Sequence, residues 1–113
     1  MNERTVGTLN EDRACQFLTE HGYRIVERNY RCRIGELDVI AEEDGYLCFI
    51  EVKYRRTTQY GLPEDAVGAR KQATIRKVAL RYLTERRVSM DRAMRFDVVA
   101  MDENEIRLYR NAF

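Results

Sequence analysis

Three acids and one lysine stand in an order that could do chemistry: Glu11, Asp38, Glu51 and Lys53. The last three share a hairpin. Asp44-Gly45 lies between two partly β-branched, alternating runs, Glu36 to Glu43 and Tyr46 to Tyr54. Such a dipeptide favours a two-residue type I′ turn, whose two positions both need positive φ. The turn sets the register. Glu43 then faces Tyr46, Ala41 faces Cys48, Val39 faces Ile50, Asp38 faces Glu51 and Glu36 faces Lys53. Strand period places Glu36, Asp38, Glu51 and Lys53 on one side. Like charges opposed in a sheet cost roughly 0.2–1 kcal/mol. Asp38 and Glu51 also sit among Val39, Ile40, Phe49, Ile50 and Val52, which favour burial. Such a pair needs a cation, and a hard divalent ion with oxygen ligands suits it. Lys53, two residues from Glu51, puts a fixed ammonium beside whatever that ion binds.

Glu11 joins from a helix. Glu11, Ala14, Cys15 and Leu18 fall at i, i+3, i+4 and i+7, the stripe that should face a sheet. Asp12 and Glu20 point elsewhere. Glu11 either completes the same metal site or is a first-turn acid held by the helix dipole. Cross-strand ion pairs of Glu36 or Asp38 with Lys53 also remain open as a plain structural reading.

The surrounding elements follow from pattern. Residues 9–21 read as a helix, with Gly22 as its stop. Tyr23 to Tyr30 reads as a strand, and Arg28 to Gly35 includes a polar turn. After the hairpin, Arg55 to Leu62 is a polar loop. From Pro63 the chain turns helical, and Ile75, Val78, Ala79, Tyr82 and Leu83 form an apolar stripe. Lys77 and Arg81 lie together on the other side. Met94 to Met101 and Glu105 to Arg110 are the last strands. The order α-β-β-β-α-β-β predicts one α/β domain over residues 1–113, a mixed sheet flanked by helices.

Composition agrees with a folded domain. The chain has 113 residues, 44% hydrophobic and 35% charged, with a net charge of +1. The longest unbroken apolar run, Tyr46 to Ile50, is far short of the ~20 residues that span a bilayer. No membrane association is expected. Three cysteines, Cys15, Cys32 and Cys48, are an odd set without zinc spacing. They predict free thiols in a reducing cytoplasm. His21 is the only histidine, which argues against a Ser-His-Asp triad.

The near-zero charge hides a split. Residues 1–52 carry 11 acidic and 6 basic groups, whereas residues 53–95 carry 12 basic and 4 acidic. Arginine outnumbers lysine 17 to 3, and its planar fork suits phosphate. The basic segment reads either as a nucleic-acid surface or as an ordinary solvated helix face.

The ordered set resembles a known signature. Glu11, the Gly35-Glu36-Leu37-Asp38-Val39-Ile40-Ala41 run and Ile50-Glu51-Val52-Lys53 look like the PD-(D/E)-x-K nuclease motif. Gly-Glu-Leu-Asp replaces the usual Pro-Asp, and the Asp is kept. Gly7-x-x-x-Glu11, Arg28-Asn29-Tyr30-Arg31, Val67 with Lys71-Gln72, and Arg95-Phe96-Asp97-Val98-Val99 resemble the YraN-like family of bacterial proteins over nearly the whole chain. The pattern is also similar to archaeal Holliday junction resolvases.

That resemblance implies a restriction-endonuclease-like αβββαβ core and a Mg²⁺- or Mn²⁺-dependent endonuclease acting on branched or structured DNA. Asp38, Glu51 and the Val52 carbonyl would hold the ion, with Glu11 acting through it or through water. Lys53 would stabilise charge on the phosphate. Arg55, Arg56, Arg70, Lys71, Gln72, Lys77 and Arg81 would track the nucleic-acid backbone, and Tyr54 and Tyr60 could stack on bases. Related resolvases act as dimers, so a homodimer is open. The competing reading is a DNA-repair or recombination module that keeps the nuclease fold without turnover.

Overall fold

The computed structural model describes residues 3–55 and 67–113, with side chains from residue 7 onward. The expected loop beyond Arg55, with Arg56, Tyr60 and Gly61, and the expected helix start at Pro63 lie outside the described residues. Among the described residues the elements are α1 (Glu3–Glu20), β1 (Arg24–Arg31), β2 (Glu36–Glu43), β3 (Tyr46–Tyr54), α2 (Ala69–Glu85), β4 (Met94–Met101) and β5 (Ile106–Tyr109). This is the α-β-β-β-α-β-β order expected from the sequence.

The five strands form one sheet in the order β1-β2-β3-β4-β5. All neighbours are antiparallel except β3 and β4, which run parallel. A parallel pair cannot be joined by a tight turn and needs a crossover. The segment containing α2 supplies it.

Each helix covers one face. Ile75, Val78, Ala79, Tyr82 and Leu83 of α2 pack with Ile40, Leu47, Phe49 and Val98. Ala14, Cys15 and Leu18 of α1 pack with Val39, Ala41, Cys48, Ile50, Val99 and Met101. Both stripes expected from helical period are therefore the buried ones.

Two boundaries differ from expectation. α1 begins at Glu3, not at residue 9, because its first two turns carry no apolar stripe to announce a helix. α2 begins at Ala69, with Gly68 as its N-cap. Val67 is already buried against the sheet before the helix starts.

The hairpin forms as its turn chemistry dictates. Asp44 and Gly45 both take positive φ, 52° and 81°. The ladder pairs Glu43 with Tyr46, Ala41 with Cys48 and Val39 with Ile50. It stops there. Beyond Ile50, β3 stays paired to β4 as far as Tyr54 and Met101, while its β2 side opens.

A second polar feature fastens β4. Asp97, fully buried, accepts hydrogen bonds from the Tyr23 hydroxyl (2.8 Å), Arg95 Nε (2.9 Å) and the Asn111 backbone N–H (2.8 Å). Arg95 also reaches Glu43 at 2.6 Å. A buried charge is tolerated when paired and hydrogen-bonded in this way. The three cysteines are unpaired. Among the described residues no helix is long and apolar enough to cross a membrane.

Candidate metal and nucleic-acid site

The open end of the hairpin gathers the acids. Where the ladder stops, the Asp38 side chain replaces a backbone partner: Val52 N–H donates to Asp38 Oδ2 at 2.9 Å. A strand residue points its N–H and C=O to the same side. The Val52 carbonyl therefore also opens toward β2.

Carboxylate oxygens of Glu11, Glu36 and Asp38 lie within 4.8 Å of one another. Glu11 comes from the middle of α1, Glu36 opens β2, and Asp38 follows two residues later. Gly35 sets the start of β2 tightly against α2. A Cβ there would come within 3.0 Å of Thr74 Cγ2 and 3.4 Å of Val78 Cγ2.

Glu51 interacts with Asp38 from β3, although its oxygens are not part of that three-acid group. It is 8% exposed. Burial, then the neighbouring Asp38 charge, pushes its carboxyl up to about 8. Burial also raises Asp38, opposed by the Val52 N–H. Glu11 is raised by burial and held back by a hydrogen bond with the Asn29 side chain. Clustered acids that resist ionisation mark a place where charge is missing a partner.

The chain's own cations stand around this cluster. Lys71 Nζ is 3.6 Å from Glu51 Oε1. Arg31 Nε donates to Glu36 Oε2 at 2.8 Å. Arg28 lies 3.8 Å from Glu11 and 2.8 Å from Asp12. Lys53, two residues beyond Glu51, acts on it through charge at longer range. Asn29 adopts φ 55° inside β1. Asparagine tolerates this left-handed conformation better than most residues, and such outliers cluster at functional sites.

The expected nucleic-acid residues disperse. Lys71 turns to the acids. The Gln72 amide donates to the Val67 carbonyl at 2.8 Å, so it braces the segment before α2. Arg70 and Arg55 are exposed. Lys77 and Arg81 line a separate hollow of about 580 Å³ with Ile34 and Leu80, and Arg81 Nε donates to Glu85 at 2.7 Å. Arg56 is outside the described residues. Tyr54 packs against the α1-side core.

Glu36, Arg28, Asn29 and Arg31 join the site without having been singled out individually as functional. Glu36 was legible as a same-face acid. The others depend on β1 crossing beside α1, which no local period encodes.

The fold and site define a mixed α/β domain with a carboxylate cluster where its central hairpin opens. The chain belongs to Uncharacterised protein family UPF0102, whose family model matches residues 10–101. This is the YraN-like family that its motifs resemble. The chain is 48% identical over 113 residues to a UPF0102 protein of Lachnoclostridium phytofermentans, covering 100% of this chain and 96% of that protein. It is 48% identical over 116 residues to a UPF0102 protein of Syntrophus aciditrophicus, covering 99% and 90%. A third relative, a UPF0102 protein of Acetivibrio thermocellus, is 43% identical over 122 residues, covering 99% and 93%.

Proposed function

We propose that this chain is a divalent-metal-dependent endonuclease of the PD-(D/E)-x-K superfamily, acting on branched or structured DNA. The observation that carries the reading is the convergence of Glu11, Glu36 and Asp38 oxygens within 4.8 Å, with Glu51 against Asp38. The donor set is all oxygen, which fits Mg²⁺ or Mn²⁺. Asp38, Glu11 and the Val52 carbonyl would hold the ion, with Glu51 or Glu36 completing the set. When bound, the ion supplies an acidified water and polarises the scissile phosphate.

The remaining roles belong to the side chains. Lys53 stabilises negative charge growing on the phosphate. Asn29 orients Glu11. Lys71, released from Glu51 once another cation takes over that carboxylate, turns to the DNA backbone. Arg55 and Arg70 extend the basic surface, so binding should weaken steeply with salt. Cutting both strands of a junction would take two copies of this single-site chain.

Lys71 also favours a second reading. An ammonium already on Glu51 could leave a metal-free, non-catalytic DNA-binding module. Calorimetry with Mn²⁺ separates the two: uptake lost in Asp38→Ala supports the enzyme, and no uptake by the native chain supports the module. The activity itself is tested on linear, flapped and four-way-junction DNA with Mg²⁺ or Mn²⁺. Asp38→Ala and Lys53→Ala should each reduce cleavage by about 100-fold or more while melting cooperatively. Absence of cleavage on every substrate would remove the enzyme reading.

A further inference from the structure

Gly7 stands one helical turn before Glu11, on the same side of α1. Its place in the fold does not ask for glycine. It lies inside a helix and is not among the positive-φ glycines, Gly22 and Gly45. Unlike Gly35, it is not pressed by a neighbour: a Cβ there would meet nothing within 4 Å among the described residues. Glycine within a helix weakens it, so the missing side chain has a cost that no contact among the described residues offsets.

Gly7 does line a cavity. Thr8, Glu11, Asn29 and Arg31 complete a polar hollow of about 460 Å³. That is in the range of sites for one small ligand, about 300–1,000 Å³, and suits a nucleotide unit better than a duplex. One wall is Glu11 of the acid cluster. Arg31 also lines it, exposed and donating through Nε to Glu36 at 2.8 Å, a bond that does not use its two Nη groups. A guanidinium fork presented this way suits a phosphate.

We propose that this notch is a subsite for the sugar–phosphate backbone of the strand adjoining the scissile phosphate. The absent Gly7 side chain lets that backbone approach α1, and Arg31 contacts its phosphate. The proposal rests on the nuclease reading and extends it to the substrate's path on the α1 side.

The test uses the full chain and three variants, Gly7→Leu, Gly7→Ala and Arg31→Ala. Binding of fluorescein-labelled four-way-junction and flap DNA is followed by anisotropy in Ca²⁺. Mn²⁺ calorimetry and thermal melting run alongside. Both Gly7 variants should melt at or above the native temperature and keep the native Mn²⁺ isotherm. Gly7→Leu should lose about tenfold or more in DNA affinity, Gly7→Ala less, and Arg31→Ala should also weaken binding. Gly7→Ala keeps the test alive if the leucine variant does not fold. Native DNA affinity in Gly7→Leu, or a lowered melting temperature in Gly7→Ala, would overturn the notch. Native chain that takes up Mn²⁺ but no DNA overturns the notch and leaves the metal site standing. Uptake of neither removes the nuclease reading and the notch together.

Discussion

Glu51 carries the largest electrostatic conflict in the acid cluster. Its carboxyl rises from the ordinary 4.5 to about 8, through burial first and Asp38 second. An acid with a raised folded pKa binds its proton more tightly in the folded state. Its contribution to stability is therefore complete below about pH 4.5 and is lost as pH climbs through about 8. Asp38 shifts in the same direction. Glu51→Gln should stabilise the metal-free chain by about 1–3 kcal/mol near pH 8 and change little near pH 5, read by urea unfolding. Mg²⁺ should raise the melting temperature of the native chain more near pH 8 than near pH 5, and do less for the Gln variant. Equal pH profiles for the two proteins would show that the Glu51 charge is already compensated by Lys71. That Lys71 contact was not legible in the sequence. Helical period puts Lys71 four and seven residues before Ile75 and Val78, on the side of the buried stripe, but only the crossover sets that end of the stripe against Glu51.

At the scale of elements, the hairpin was the most legible part of the chain. Asp44-Gly45 determines the turn, the turn determines the register, and the register brings Asp38 beside Glu51. What pattern alone could not show is that the ladder ends at Val39 and Ile50. Asp38 ends it by taking the Val52 N–H with its own side chain, a tertiary choice invisible to a period of two. The first turns of α1 were illegible for a different reason, since their sequence carries no apolar stripe. β4 holds the C-terminal turn through Asp97, which accepts from the Asn111 N–H, and through the Phe96 carbonyl, which accepts from the Ala112 N–H at 2.7 Å. Asp97→Ala would leave Arg95 short of its buried partner and free the Asn111 N–H. It should destabilise the protein by about 3–5 kcal/mol in chemical denaturation. The folded fraction should keep native Mn²⁺ affinity, because Asp97 is not one of the clustered acids. A loss below about 1 kcal/mol would mean that water replaces its partners there.

Along the whole chain, the net charge of +1 conceals an acidic stretch, residues 1–52, and a basic one, residues 53–95. The acidic side is interleaved with cations more closely than the charge split along the chain suggests. Arg28 and Arg31 come from the acidic half, and Lys71 from the basic one. The parallel pairing of β3 with β4 has a consequence for how the chain reaches this state. β1, β2 and β3 join through short connections, so their contacts are local. β4 must wait until residues 55–93 have closed into a crossover, and loops of that length form late. In pulse-labelling hydrogen exchange during refolding, β2 and β3 amides should gain protection before those of β4 and β5. The acid pair would then be assembled while the sheet edge that later seats β4 is still exposed. Early Mg²⁺ should speed refolding by relieving that repulsion in the forming hairpin.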